Sequence, residues 1–339
     1  MKTGLMDREN HIAIEEAAVP SIGAEDVLIK VKYAGVCGSD LHAYRGLHPF
    51  RKPPVVLGHE VAGHIEKVGD KVSGFAAGDT VTVMPALGCG ACELCRQGRT
   101  NICLKKSVPG SPGWIGTFAE YFRAPASVTH RVPTGMDLKI AALAEPLATS
   151  VHSVKAAGMK KGGRMLVLGG GTIGILAVAV AREYGAGAVA VTDVLDFNLD
   201  MARNDFGADP YNALDPDLEK KLLAKYPDKF DSVILCASVE ATIHQSVRLV
   251  KRGGRIIITG MYLEPVTFNF LDLTLGEIAM AGSQIYTAPD FREAMHLLKD
   301  NKYPFGKIIT HIMPLTEADK ALNLLATHSE NAVKILLEV

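Results

Sequence analysis

The chain has 339 residues, with 36 basic and 37 acidic side chains and a formal net charge of −1, which disfavours binding to nucleic acid or to a membrane surface. At about 150 residues per domain the length predicts two domains, each large enough for its own core. Charged residues interrupt the first segment before a signal-peptide-length apolar run forms, and no apolar stretch approaches the ~20 residues that span a bilayer, so we expect a cytoplasmic protein with a small-molecule substrate.

The order of the predicted elements changes after the first third of the chain. Short β-like runs at 27–36, 55–68 and 80–84, separated by glycine-rich turns, predict a small antiparallel barrel. Strands at 165–168, 188–192, 232–236 and 255–259 then alternate with helices from about 172 and at about 197–206, which predicts a parallel sheet. A tail from about 286, with helices at 290–299 and after 314 and strands at 308–312 and 333–339, is too short for a third domain and is expected to complete the first.

Four of the six cysteines lie close together, at Cys89, Cys92, Cys95 and Cys103. Thiolates at this spacing can surround one tetrahedral Zn²⁺ with no open position, which is typical of a structural site. An iron–sulfur cluster is the main chemical alternative, and disulfides are disfavoured in a reducing compartment.

A dinucleotide site is predicted where a strand meets a helix. Gly169, Gly171 and Gly174 form G-x-G-x-x-G, with Thr172 and Ile173 between the last two glycines. Glycines permit the tight turn and let a pyrophosphate approach the amides of the helix N-terminus. Asp193 lies 19 residues after the last glycine, where an acid would bind the ribose diol, although a role as helix N-cap is also open. Residues 194–199 hold no Arg or Lys for a 2′-phosphate, which favours NAD over NADP.

A second metal site is indicated around His59. His59, Glu60 and His64 resemble the metalloprotease pattern H-E-x-x-H, but the second histidine is one position too far along for a shared helical face, so we reject that interpretation. Cys37 in a glycine-flanked loop and Glu145 near the domain junction supply further metal-binding side chains.

Together these motifs resemble the zinc-dependent medium-chain dehydrogenases, in particular the sorbitol (polyol) and 2,3-butanediol dehydrogenase branch. The resemblance covers essentially the whole chain and rests on five segments in the family's order, namely 35–40, 58–63, the four-cysteine segment, 145–147 and 169–174. It implies a GroES-like antiparallel barrel catalytic domain at 1–147 with a zinc lobe at about 86–106, a Rossmann doubly wound parallel-sheet domain at 148–285 and a return segment at 286–339. The active site is expected in the cleft between the two domains.

The resemblance also assigns roles to residues. Cys37 and His59 would ligate a catalytic zinc, with Glu60 and Glu145 as direct, water-mediated or exchangeable ligands, which gives two Zn²⁺ per chain. Ser39 would relay the alcohol proton. Further positions are expected to contact NAD or to line the substrate pocket: Asn198, Thr259, Gly260, Met261 and Lys307 for NAD, and Tyr44 and Tyr286 for the substrate. A homotetramer or homodimer is expected.

The predicted reaction is hydride transfer between NAD and a secondary alcohol, either a polyol or a vicinal diol. Tyr286 matches an Arg-Tyr pair expected in polyol dehydrogenases, but Ile285 stands at the arginine position, which favours a shorter or less polar diol. Threonine and sugar-phosphate alcohol dehydrogenases are alternatives within the family. Outside the family, the alternatives are a nucleic-acid-binding zinc ribbon and a catalytically silent NAD-binding protein.

Overall fold

The chain divides into two units, and the computed structural model describes all of residues 1–339. Unit 1 comprises Met1–Glu145 and Thr287–Val339, and unit 2 comprises Pro146–Tyr286. None of the helices combines the length and the apolar character that crossing a lipid bilayer demands.

The first part of unit 1 is rich in short strands. These are β1 (Lys2–Arg8), β2 (His11–Glu16), β3 (Asp26–Val36), β4 (Val55–Val56), β5 (Glu60–Val68), β6 (Thr80–Val83), β7 (Tyr121–Pro125) and β8 (Thr129–Arg131). The helices are α1 (Gly38–Tyr44), α2 (Glu93–Arg96) and α3 (Leu138–Ala141), followed by α4 (Ala144–Ala156), which contains the boundary between the units.

Unit 2 is built on a six-stranded parallel sheet. Its strands are β9 (Arg164–Leu168), β10 (Ala188–Asp193), β11 (Asp209–Asn212), β12 (Phe230–Leu235), β13 (Val250–Ile258) and β14 (Ala279–Gly282), and its further helices are α5 (Thr172–Glu183), α6 (Asp196–Asn204), α7 (Leu218–Lys225), α8 (Glu240–Leu249) and α9 (Leu271–Gly276). The strand order is β11-β10-β9-β12-β13-β14, and every pairing is parallel. The carboxyl ends of β9, β10 and β13 therefore meet at one edge of the sheet, as the alternation of strands and helices predicts.

The end of the chain returns to unit 1 as α10 (Ala288–Asp300), β15 (Ile309–Pro314), α11 (Ala318–Thr327) and β16 (Lys334–Glu338). The larger sheet of this unit has the order β15-β16-β3-β5-β6-β8, with β7 also paired to β3, and β2-β1-β4 form a smaller sheet. Where the sequence predicts a purely antiparallel arrangement, the sheet is mixed, because α11 crosses between β15 and β16 and makes that pair parallel.

The pairing of β3 brings three distant parts of the sequence together. β5 pairs with β3 so that Glu60 lies opposite Gly35. β16 pairs with β3 so that Ile335 lies opposite Val36. The start of β5 and the start of β16 are thus fixed beside the end of β3, where Cys37 follows.

Candidate active site

Cys37, His59 and Glu60 form one group, because the end of β3 lies beside the start of β5. Cys37 follows β3 directly, and His59 and Glu60 stand at the start of β5. Their potential ligand atoms all lie within 4.8 Å of one another. Gly35 is what leaves room for the glutamate, since a Cβ at this position would lie 1.7 Å from Oε2 of Glu60. The structure thus assembles three of the four residues that the sequence predicts around the catalytic metal.

Asp40 holds this group in place from inside the protein. Its buried carboxylate accepts hydrogen bonds from the backbone N–H of Cys37 at 3.1 Å and of Gly58 at 3.1 Å, and lies 3.4 Å from Nδ1 of His59. Burial alone would raise the pKa of Asp40, but His59 and Arg51 bring it down to about 2. Because Nδ1 faces this carboxylate, Nε2 is the ring nitrogen left for a metal. Asp40 belongs to the segment 35–40 that carries the resemblance, but the sequence alone predicts no role for it; its place three residues after Cys37 is the available signal.

Lys334 pairs with Glu60 in the interior. Its Nζ lies 2.6 Å from Oε1 of Glu60 and donates to the carbonyl of Val36 at 3.0 Å, and both charged side chains are buried. Burial would lower the pKa of Lys334, but Glu60 and Cys37 raise it above its usual value. Oε2 of Glu60 is buried and has no hydrogen-bond partner. Lys334 is not predicted from the sequence, where its signal is a lysine inside the apolar terminal strand.

The charges in this region are those that a divalent cation would balance. With a metal bound to the thiolate of Cys37 and the neutral ring of His59, one thiolate and three carboxylates face only two cations, and one Zn²⁺ balances this excess of two negative charges. With the orphaned oxygen of Glu60 and the thiol and imidazole beside it, this donor set fits a zinc ion. The charged groups are Cys37, Asp40, Glu60 and Glu145, with Arg51 and Lys334 as the cations.

Three other residues predicted for the active site do not belong to the group of Cys37, His59 and Glu60. Glu145, in the first turn of α4, lies outside the group of mutually close ligand atoms, although its charge helps to raise the pKa of Lys334. Ser39 lies in the first turn of α1, with its hydroxyl 3.3 Å from Nη1 of Arg51. Tyr44 has its hydroxyl engaged elsewhere, since it donates to the carbonyl of Asn10 at 2.8 Å and lies 2.9 Å from Oδ1 of Asp319.

The four clustered cysteines form a second group with the spacing of a tetrahedral site. Sγ of Cys89 lies 3.9 Å from Sγ of Cys95, and Sγ of Cys92 lies 3.8 Å from Sγ of Cys103. A disulfide needs about 2.05 Å, whereas four thiolates at about 2.3 Å from one Zn²⁺ are separated by about 3.8 Å. Backbone N–H groups of residues 91 and 92 lower the pKa of Cys89 to about 6, which favours the metal-binding thiolate.

Unit 2 carries the glycine turn between β9 and α5. Gly169 has φ +106°, and a Cβ there would lie 2.6 Å from the backbone nitrogen of Ala237. A Cβ at Gly174 would lie 1.9 Å from the carbonyl oxygen of Gly169, whereas a Cβ at Gly171 would meet no atom within 4 Å. Two of the glycines are therefore required by the turn itself, and Gly171 leaves open space at the N-terminus of α5, where an anion is stabilised.

Asp193 is fixed beside this turn at the end of β10. Its carboxylate accepts from the N–H of Gly170 at 2.7 Å and from the N–H of Leu195 at 2.9 Å. A carboxylate has about four acceptor positions, so this one retains capacity for a ribose diol.

The remaining predicted cofactor and substrate residues are dispersed. Thr172 and Ile173 open α5, and Asn198 is buried on α6. Thr259, Gly260 and Met261 directly follow β13, where the hydroxyl of Thr259 donates to that of Ser153 at 3.0 Å. Tyr286, the last residue of unit 2, is buried, and Lys307 is exposed on unit 1.

Comparison with known proteins identifies relatives along both units. The family model described as alcohol dehydrogenase GroES-like domain matches residues 23–134, and the model described as zinc-binding dehydrogenase matches residues 172–300. A sorbitol dehydrogenase of Halalkalibacterium halodurans is 34% identical over 333 residues, which cover 96% of this chain and 95% of that protein. A D-xylulose reductase A of Aspergillus niger is 30% identical over 321 residues, which cover 92% and 90%.

Solved structures agree with these relatives. A short chain alcohol dehydrogenase from E. coli CFT073, complexed with NADH, has a TM-score of 0.93 and 29% identity, and the match covers 100% of this chain and 99% of that chain. Both potential metal groups and Asp40 lie within the residues matched by the first family model, and the N-terminus of α5 and Asp193 lie within the second.

Proposed function

Because this chain belongs to the zinc-binding dehydrogenase family with an alcohol dehydrogenase GroES-like domain, we propose that its substrate is a polyol or vicinal diol oxidised at a secondary hydroxyl. The chain is a zinc- and NAD-dependent oxidoreductase that acts on an alcohol, so the predicted family, fold class and enzyme class are confirmed. The comparisons do not favour the alternative of a nucleic-acid-binding zinc ribbon.

The observation that carries the proposal is the group of the half-buried Cys37 with the buried His59 and Glu60. These three residues would hold a zinc ion, which would supply Lewis acidity to a substrate hydroxyl, and the hydride would pass to bound NAD. Of the two glutamates, Glu60 is the one whose carboxylate lies with the other ligand atoms, so we assign it as the direct ligand and Glu145 as a contributor to the local charge.

The surrounding side chains prepare the site for this chemistry. Asp40 fixes the ring of His59, and Lys334 balances the charge of Glu60. The half-buried hydroxyl of Ser39 can accept the alcohol proton and pass on its own. In unit 2, the amides at the start of α5 would hold the pyrophosphate of NAD, and Asp193 would select the unphosphorylated ribose.

The choice of a polyol or diol rests on the relatives and on one departure from the expected pattern. The similar proteins include a sorbitol dehydrogenase and a D-xylulose reductase, whose names point to sugar alcohols. Ile285 in place of the expected arginine favours a shorter or less polar substrate within this class.

The test is a panel of neutral polyols and diols from two to six carbons with NAD⁺, followed by NADH absorbance, on protein whose metal content has been measured. We expect oxidation of at least one secondary alcohol and about two zinc atoms per chain. Failure to oxidise any member, with both zinc sites filled, would refute the proposed substrate class.

We further propose that the protein is a cytoplasmic homodimer or homotetramer. Both metal groups need reduced thiols, which a reducing compartment maintains. β14 is the edge strand of its sheet, and Phe270, Leu271 and Leu275 are exposed apolar side chains nearby in the sequence. Sedimentation equilibrium would contradict the assembly if it gave the mass of a single chain.

A further inference from the structure

Arg51 places a guanidinium beside the hydroxyl that the reaction uses. The residue is 5% exposed, and its Nη1 lies 3.3 Å from Oγ of Ser39. Nε donates to the carbonyl of Pro109 at 3.2 Å, and the guanidinium carbon lies 5.9 Å from the ring centre of Phe50. These contacts hold the side chain in one orientation, so it can receive a partner without first losing rotamer freedom.

One end of this guanidinium is unused. Nη2 has no hydrogen bond in the structure, and protein atoms do not enclose it fully. The nearest carboxylate, Asp40, lies 3.7 Å from Nη1, and the same Asp40 oxygen already accepts from the N–H of Gly58 and faces His59. A buried guanidinium with free N–H groups is a binding site for an oxygen anion.

We propose that Arg51 binds a carboxylate of the substrate, so that the enzyme acts on a polyhydroxy acid in preference to a neutral polyol. The inference rests on the proposed function and changes its substrate class, because Arg51 favours an acid group where Ile285 alone favours a less polar diol. Since Nη1 touches Ser39, the free Nη2 would reach a group only a few bonds from the hydroxyl being oxidised. The two N–H groups of Nη2, held in the plane of the guanidinium fork, can donate to the oxygens of a carboxylate.

A carboxylate fits the local charge better than a phosphate monoester does. With a divalent cation bound, the buried charges around Cys37 are balanced, so a substrate carboxylate adds one negative charge and a phosphate adds up to two. Arg51 offers one free nitrogen, whereas a phosphate presents three acceptor oxygens.

The experiment compares substrates that differ only in this group. Six-carbon aldonates are each assayed against the alditol of the same configuration and the corresponding alditol 6-phosphate, using the zinc-loaded enzyme and NAD⁺. We expect the aldonate of the best pair to have the higher kcat/KM. Binding of the same aldonate to the NADH complex is measured by calorimetry, which does not depend on turnover.

Arg51→Gln removes the charge at nearly the same size. We expect this variant to lower the ratio of kcat/KM for aldonate to kcat/KM for alditol by about 100-fold, and to weaken aldonate binding by a similar factor. This is the size expected for the loss of a hydrogen bond to a charged group. Arg51→Lys keeps the charge but loses the fork, and an intermediate ratio is expected. The control is Lys52→Gln, which removes the neighbouring exposed cation, bonded to the carbonyl of Gly46 at 2.6 Å, and should leave the ratio unchanged.

The outcomes separate this inference from the function on which it rests. Oxidation of alditols in preference to aldonates, or an unchanged ratio in a folded Arg51→Gln variant, overturns the role of Arg51 and leaves the dehydrogenase intact. Preference for the phosphates overturns the assignment to a carboxylate. If no alcohol in any arm is oxidised, the proposed function fails, while the calorimetric comparison of wild type with Arg51→Gln still decides whether Arg51 binds the acid.

Discussion

Gly35 illustrates how one missing side chain permits a metal site. A Cβ here would come within 1.7 Å of Oε2 of Glu60, so Gly35→Ala must displace the carboxylate from Cys37 and His59. We expect the zinc content to fall from about two atoms per chain to about one, with loss of alcohol oxidation, because the four-cysteine group is untouched. Metal analysis by mass spectrometry measures this.

A glycine in the same segment provides the matched control. A Cβ at Gly38 would meet no atom within 4 Å, so Gly38→Ala adds the same methyl group without a clash. We expect this variant to keep about two zinc atoms. Equal zinc loss in both variants would show that the carboxylate of Glu60 is not what the methyl group disturbs.

Lys334 is a second residue whose role can be separated from simple packing. Lys334→Met leaves Glu60 as a buried carboxylate without its cation, and removing one partner of such a pair costs about 3–5 kcal/mol. We expect a corresponding loss in the free energy of unfolding of the metal-free protein, measured by denaturant titration.

The double variant Glu60→Met with Lys334→Met replaces both charged side chains with apolar ones. Its unfolding free energy is expected to return to within about 1 kcal/mol of wild type, since an apolar replacement of a whole buried pair is close to neutral. Oxidation of alcohol should remain lost. Equal instability of the double and single variants would indicate that packing, and not charge, explains the effect of Lys334→Met.

At the level of elements, the turn from β9 into α5 contains glycines of two kinds. Gly174→Ala would place a Cβ 1.9 Å from a carbonyl oxygen, so we expect it to destabilise the cofactor-free protein by about 2 kcal/mol or more. Gly171→Ala meets nothing in the protein. It should leave the melting temperature unchanged and weaken NADH binding at least about 10-fold, because the methyl group occupies the space of the pyrophosphate.

Thermal melts without cofactor and fluorescence titration with NADH distinguish the two variants. If Gly171→Ala bound NADH as tightly as wild type, the pyrophosphate could not lie over the start of α5. Zinc content serves as the control, since neither substitution lies in unit 1.

Elements with a clear periodic pattern were predictable from the sequence, and those without one were not. The strands of the parallel sheet are apolar runs and were expected within a few residues, as β9, β10 and β12 illustrate. β11 contains Pro210 and consists of four half-buried residues, and β14 reads Ala-Met-Ala-Gly, so neither shows a strand pattern. Both form because a neighbouring strand offers a free edge.

The candidate site divides in the same way. Cysteines and histidines at characteristic spacing form local motifs, so Cys37, His59 and the four-cysteine group are predictable as metal ligands from the sequence. Lys334 contacts a partner that is distant in sequence, since 274 residues separate it from Glu60. Arg51 lies in an irregular loop, 12 residues after its partner Ser39. Only the register of β16 and β5 against β3 reveals the contact between Lys334 and Glu60.

At the scale of the whole molecule, the candidate metal ligands and most of the predicted cofactor residues lie in different units, Lys307 of unit 1 being the exception. Both groups of potential metal ligands lie in unit 1, whereas the glycine turn and Asp193 lie in unit 2. Unit 2 has its own buried core, which includes Leu166, Phe230 and Ile256. The core of unit 2 therefore contains none of the proposed metal ligands.

Removal of metal tests whether NADH binding is independent of the metal sites. We expect dialysis against a strong chelator to abolish alcohol oxidation and to lower the melting temperature, because metal-binding energy contributes to the stability of unit 1. The affinity for NADH, measured by fluorescence, should stay within about threefold of the zinc-loaded value, since in the proposed function the backbone amides at the start of α5 would hold the pyrophosphate and Asp193 the ribose. Restoring zinc should return activity without changing the dissociation constant. A large loss of NADH affinity on chelation, reversed by zinc, would instead mean that the metal sites help to build the cofactor site, and the two chemistries would not be separable.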